Sequence, residues 1–301
     1  MVFQDLIMKK IYALVLVLIP SVLFSQTVFW TEDFGTGCNQ GQLASAYSGT
    51  NGAWTMTVTG PEADDANAWF VSARDNGNAI GTCGSGCGTN RTMHISNSFA
   101  TPLPVHPIDD YAIYAEGFDG FCGLIQCAAT SKRMESPTIN CTGRTDISVN
   151  FKYFEGGNAI DNATLWYSAN NGGAWTQISD MPKTALCGAD RGTWTAYTFA
   201  LPASANNNAT VKIGLQWVNN DDGDATDPSF AVDDITLSVP DVVTCCPGDF
   251  NCDGVINVLD MIIMVNQFGC AAGCTADLNN DGIIGAADLT IFNGLYSDIC
   301  P

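Results

Sequence analysis

Short runs in which apolar and polar residues alternate dominate the chain from residue 26 onward. "DISVNFKYF" (146–154), "ATLWYSA" (163–169), "TWTAYTFAL" (193–201), "TVKIGLQWV" (210–218) and "FAVDDITLSV" (230–239) read this way, with the period of strands that turn one face to a core. "NNGG", "SANNN" and "NDDGD" separate them, and Asn, Asp and Gly in such clusters make turns. No convincing amphipathic helix interrupts the series, so the spacing predicts a β-sandwich over 26–239. At "SVPDVVTCCP" the pattern changes. Residues 240–247 read as a linker, and beyond them "VLDMIIMVNQF" (258–268) and "AADLTIFNGLY" (286–296) each place apolar residues on a helical stripe. The chain is expected to be mainly β, with a small all-α module over 248–301.

The first residues follow neither pattern. Lys9 and Lys10 precede an uncharged apolar run over 11–24, and Ser25 closes it at a cleavage-like position, so 1–25 is expected to be a signal peptide, with Met8 opening its better-proportioned form. The run is too short to span a bilayer comfortably, which predicts a secreted protein, extracellular or at the cell surface. Thirteen cysteines suit that oxidising address and are expected to pair as disulfides. Zinc would draw on "CGSGC" (Cys83, Cys87) and "CGLIQC" (Cys122, Cys127), but export and only two histidines favour disulfides. An odd count leaves one thiol over. Seven cysteines precede the linker and six lie within or beyond it, which puts the odd one in the β region unless a bridge crosses domains. Adjacent Cys245 and Cys246 would close a strained ring if joined, so each is expected to bond elsewhere.

The net charge is −20, yet only 14% of residues are charged. With no basic stripe to neutralise phosphates, nucleic acid and anionic membranes are poor partners. The acids gather at 219–234 and in the last sixty or so residues. There "DFNCDGVINVLD" (249–260) and "DLNNDGIIGAAD" (277–288) repeat one pattern 28 residues apart. A twelve-residue calcium loop needs oxygen ligands at positions 1, 3, 5 and 12, a backbone carbonyl at 7, and Gly at 6 for the sharp turn. Loop one offers Asp249, Asn251, Asp253, the Val255 carbonyl and Asp260, with Asn257 at position 9. Loop two offers Asp277, Asn279, Asp281, the Ile283 carbonyl and Asp288, with Gly285 at position 9. Hard oxygen donors in this number favour Ca²⁺. From 241 to 301 there are eight acidic and no basic side chains, and six of the eight fall at ligand positions. Two Asx-rich turns that each open a helix without metal would carry the same residues, but two full matches in tandem favour the ion.

A duplicated loop-plus-helix unit with Asp at position 12 and no helix entering the loop resembles a dockerin domain, of type I, over about residues 248–297. The resemblance implies folding around two Ca²⁺ ions and tethering to a cohesin-like or other exported protein. Members commonly present Ser or Thr at loop positions 10 and 11. Here those positions are Val258 and Leu259, then Ala286 and Ala287. Such a module brings its ends together, which makes Cys300 a partner for Cys245 or Cys246.

The β region is similar to MAM-like, jelly-roll modules of exported bacterial surface proteins, on "TEDFG" (31–35), "LWYSANNGGAWTQI" (165–178) and "FAVDDITL" (230–237). That likeness implies a structural calcium between Glu32 or Asp33 and Asp233 or Asp234, where the plain alternative is strand-end carboxylates that cap backbone amides. Of Trp54, Trp69, Trp166, Trp175, Trp194 and Trp217, at least four are expected in the core, and the rest offer a sugar-stacking platform. G-x-S-x-G and H-E-x-x-H are absent, and His94 and His106 are the only imidazoles. No catalytic residue is assigned, although Glu116, Glu135 and Glu155 are available as a carboxylate pair. The function expected is that of an exported non-catalytic binding or adhesion protein, its jelly roll binding a ligand such as carbohydrate and its tail a calcium-dependent tether. The alternative is a polysaccharide-degrading glycoside hydrolase or its accessory subunit in a cohesin–dockerin assembly.

Overall fold

The structure, a computed structural model, describes residues 26–37, 42–75, 79–83, 89–97, 111–115, 127–188, 191–224, 227–241, 245–270 and 274–300. The expected signal segment, Cys87, His106, Glu116 and Cys122 lie outside the described residues. The chain divides into two compact units, with Pro240 closing the first and Asp241 opening the second. Among the described residues no helix is long and apolar enough to cross a membrane.

The first unit is a sandwich of two antiparallel sheets, the jelly-roll-like architecture expected. Strands are numbered in chain order. One sheet runs β12 (Thr195–Ala200), β9 (Ser148–Glu155), β14 (Phe230–Pro240), β7 (Thr92–Ser96), β6 (Ala68–Ser72) and β2 (Gln42–Leu43), with β1 (Gln26–Glu32) also paired to β14. The other runs β11 (Thr176–Asp180), β10 (Asn162–Ser168), β13 (Lys212–Asn219), β8 (Thr130–Glu135) and β5 (Thr55–Val58). A two-stranded ribbon, β3 (Ser48–Gly49) with β4 (Gly52–Ala53), completes the set. Alternation explains the packing. Val149, Phe151 and Tyr153 of β9 meet Leu165 and Tyr167 of β10 and Ile213, Leu215 and Trp217 of β13 in one core.

In β14 the inward residues are Phe230, Val232, Ile235 and Leu237, so the period of two slips once. The slip is a β-bulge at the Asp233–Asp234 step, where the register against β9 jumps and Asp234 adopts a left-handed φ of 49°. One extra residue re-aims the strand so that both halves keep their apolar side chains inward. Strand β8 departs from the sequence pattern most. "TSKRME" carries three charges, yet all six residues are buried. Lys132 Nζ donates to the Asn67 carbonyl at 2.8 Å and pairs with Glu62 at 3.3 Å, which makes its burial tolerable.

The second unit holds two helices among its described residues, α1 (Val258–Asn266) and α2 (Ala286–Leu295), at the two helical stripes. Ile256, Met264, Ala276, Ile284 and Phe292 form its core, and Phe250 stacks on Phe292 with centroids 6.0 Å apart. Three disulfides brace this small core: Cys245–Cys252, Cys246–Cys300 and Cys270–Cys274. The vicinal cysteines thus bond elsewhere, and Cys300 closes the ends as the resemblance implied. In the β unit Cys83 pairs with Cys187, and Cys141 is a free, buried thiol.

Candidate metal sites

Each calcium-type loop is built by backbone turns that its own carboxylates hold. In loop one, Asp260 Oδ1 accepts from the Phe250 and Asn251 N–H groups at 2.8 and 3.1 Å, and Oδ2 accepts from the Asn257 N–H at 2.9 Å. Asp249 Oδ2 accepts from Gly254 N–H, Asn251 Oδ1 from Asp253 N–H, and Asp253 Oδ1 from Val255 N–H. Loop two repeats the scheme. Asp288 accepts from Leu278, Asn279 and Gly285, Asp277 Oδ2 from Gly282, Asn279 from Asp281, and Asp281 from Ile283. Position 4 is left-handed in both loops, at Cys252 (φ 60°) and Asn280 (φ 59°), and so is position 6, at Gly254 (φ 84°) and Gly282 (φ 89°). Glycine at position 6 avoids the Cβ penalty of that turn.

The twelfth residue also starts the helix. Asp260 and Asp288 are the third residues of α1 and α2, and each accepts from the N–H of the capping residue, Asn257 or Gly285. Asn257 Oδ1 in turn accepts from Leu259 N–H at 2.8 Å, so position 9 of loop one is a helix cap. The three backbone donors at Asp288, Gly285 first, hold its carboxyl below the ordinary carboxylate range.

Carboxylate oxygens of Asp249, Asp253 and Asp260 lie within 4.8 Å of one another. The Cys246 and Cys300 sulfurs stand beside Asp249 but are joined to each other, which removes them as thiolate ligands. One difference between the loops bears on metal. In loop one Asp249 Oδ1 accepts from Asp253 N–H at 3.1 Å. In loop two the equivalent atom, Asp277 Oδ1, is buried and has no hydrogen-bond partner. A buried carboxylate oxygen left unpaired costs on the order of 1–3 kcal/mol or more, and a cation between the ligand positions would remove that cost. The donor set, all oxygen and strongly anionic, fits Ca²⁺.

The four carboxylates that the jelly-roll likeness assigned to a cation have other partners. Glu32 is buried and accepts from Phe34 N–H, the Tyr47 hydroxyl at 2.7 Å and Trp54 Nε1 at 3.0 Å. Asp33 accepts from Gly35 N–H. Asp233 accepts from Asn90 Nδ2 and Asp234 N–H, its carboxyl pushed up to about 8 by burial and then by neighbouring Asp234, while Asp234 pairs with Lys152 at 2.6 Å.

Trp54, Trp69, Trp194 and Trp217 are buried, whereas Trp166 and Trp175 are partly exposed. His94 is buried and stacked on Phe70. Glu135 pairs with Arg133 in one sheet and Glu155 with Lys183 in the other, so each has its own partner.

Residues 247–294 match the dockerin type I domain family. No curated protein matches the chain. Among solved structures it is similar to the K1 and K3 cleaved adhesin domains of Lys-gingipain from Porphyromonas gingivalis W83. K1 has 13% identity over 71% of this chain and 100% of that one, with TM-score 0.36. K3 has 14% identity over 71% and 99%, with TM-score 0.38. It is also similar to the CBM22-1 xylan-binding domain of Paenibacillus barcinonensis Xyn10C, with 8% identity over 73% and 99%, and TM-score 0.32. Superpositions this loose carry no activity across.

Proposed function

We propose that this chain is an exported, non-catalytic binding protein whose jelly-roll domain engages a ligand, carbohydrate by preference, and whose dockerin-like tail folds on two Ca²⁺ ions and tethers it to a cohesin-like or other exported partner. The calcium reading is supported above all by the buried, unpartnered Asp277 Oδ1, in a loop that repeats its neighbour's other backbone-to-ligand-position hydrogen bonds. Asp249, Asn251, Asp253, the Val255 carbonyl and Asp260 would hold one ion, and Asp277, Asn279, Asp281, the Ile283 carbonyl and Asp288 the other. Calcium titrated calorimetrically into metal-stripped full-length protein is expected to bind at two equivalents, and Asp260→Ala and Asp288→Ala each to remove one. Absence of calcium binding by the wild type would overturn the reading.

The partner surface follows from exposure. Val258, Ile262 and Val265 are each about half exposed on one stripe of α1, beside Leu259, and apolar residues so placed mark an interaction face. A partner presenting an apolar surface with a basic rim suits this stripe on a unit without positive charge. Val258→Asp with Leu259→Asp touches no proposed ligand. It is expected to abolish capture of the partner from the producing organism's exported fraction and to leave the calcium stoichiometry at two. Capture at wild-type level would place recognition elsewhere.

A further inference from the structure

The outward face of the five-stranded sheet carries groups that the fold does not use. Met134, Leu165, Leu215 and Trp217 point to the core, so by alternation Arg133, Glu135, Trp166 and Gln216 stand on the opposite face. Register brings them together. Arg133 pairs across β8 and β13 with Gln216, Glu135 with Gly214, and Gly214 in turn with Trp166 of β10.

Two indoles frame this cluster. The Arg133 guanidinium lies 4.3 Å from the Trp175 ring centroid and 5.3 Å from that of Trp166, within cation–π range of both. Trp166 Nε1 donates to Thr164 Oγ1 at 2.8 Å, which fixes its ring. Gly214 lets the layer lie flat, since a Cβ there would stand 2.7 Å from Arg133 Cδ and 2.9 Å from Trp175 Cζ3. The aromatic surfaces are therefore held in place before any ligand arrives, which lowers the ordering cost of binding.

The polar groups between them are only partly satisfied. Arg133 Nε and Nη2 both donate to Glu135 Oε1, at 3.2 and 3.0 Å. Among the described residues neither Arg133 Nη1 nor Glu135 Oε2 has a protein hydrogen-bond partner. Gln216, 9% exposed, has a buried Oε1 without one. Unpaired polar atoms on Arg133, Glu135 and Gln216, in a layer whose Arg133 lies against two partly exposed tryptophans, suit a ligand with hydroxyl groups and a flat apolar face. The Arg133–Glu135 pair cancels its own charge, and a chain of net charge −20 repels polyanions, so the ligand is uncharged.

We infer that this face is a binding site for a neutral oligosaccharide, with Trp166 and Trp175 stacking on the pyranose faces and Arg133, Glu135 and Gln216 taking the hydroxyls. The inference rests on the reading of the β unit as a ligand-binding domain and gives that domain a location and a ligand class. The test is titration of full-length protein in calcium with xylo-, cello- and galacto-oligosaccharides of about six units, and with an oligogalacturonide as the charged control. Wild type is expected to bind at least one neutral oligosaccharide. Trp175→Ala and Trp166→Ala are each expected to weaken it about tenfold or more, as loss of a stacked ring predicts. Gln216→Met keeps volume, removes the amide and guards against a folding artefact. It too is expected to weaken binding, with an unchanged melting temperature. If wild type binds a neutral sugar and all three folded variants retain its affinity, the location is wrong and the carbohydrate reading survives. If wild type binds no neutral oligosaccharide, both fall, while the calcium tether is judged separately by its own titration. Binding of the oligogalacturonide alone overturns the neutral class.

Discussion

Glu155 shows how one residue ties the β unit to pH. Its side chain is buried, with Oε1 accepting from Lys183 Nζ at 2.6 Å and Ala163 N–H at 2.8 Å, while Oε2 is buried without a partner. Burial pushes its carboxyl up to about 7, against the pull of Lys183. A carboxyl whose folded pKa exceeds its unfolded value holds its proton more tightly in the folded state. Its contribution to stability is therefore fully present below about pH 4.5 and is lost as pH rises to about 7, a swing of about 3 kcal/mol at most. Glu155→Gln removes this titration, so the melting temperature of the β-unit transition is expected to fall less between pH 4.5 and 7 in the variant than in the wild type. Identical slopes would mean that the folded and unfolded states bind this proton equally tightly, so that burial does not raise the Glu155 carboxyl.

At the scale of elements, the strands legible in the sequence were those whose inward residues recur every second position, such as β9, β10 and β13. Strand β14 stayed legible because the bulge at Asp233–Asp234 falls between two intact halves. Strand β8 was hidden, since nothing in "TSKRME" shows that Lys132 will reach the Asn67 carbonyl or that Arg133 will lie beneath two indoles. Arg133 and Gln216 are hidden for the same reason, being polar residues whose meaning depends on cross-strand neighbours far away in sequence. The turns of the calcium-type loops are legible because they are local, the hydrogen bonds from loop backbone N–H groups to the side chains at the ligand positions spanning ten residues or fewer. The disulfides lie between these cases. The Cys246–Cys300 bridge has a sequence separation of 54, and closing so long a loop stabilises the folded state by about 4 kcal/mol in the chain-entropy model. Peptide mapping of non-reduced protein is expected to recover Cys246 with Cys300 and Cys245 with Cys252, and a free Cys300 thiol would contradict that pairing.

Across the whole molecule the distribution of charge matters more than its total. All eight charged side chains between 241 and 301 are aspartates, and three of the six at ligand positions already crowd within 4.8 Å in loop one. Backbone N–H groups donate to these carboxylates and hold that of Asp288 below its ordinary range, but hydrogen bonds do not cancel net charge. Without a cation the tail is therefore a self-repelling unit, whose stability depends on whatever screens it. Added salt shortens the range of that repulsion, from about 30 Å at 0.01 M to about 8 Å at 0.15 M. Two bound Ca²⁺ ions would supply four positive charges at the acidic centres and leave little for salt to do. In chelator, the melting temperature of the tail transition in the full-length protein is expected to rise with sodium chloride over this range. In excess calcium it is expected to stand higher and to change much less. Matching salt dependences in the two conditions would mean that the aspartates are neutralised in some other way, and the loops would then be turns that merely carry the calcium pattern.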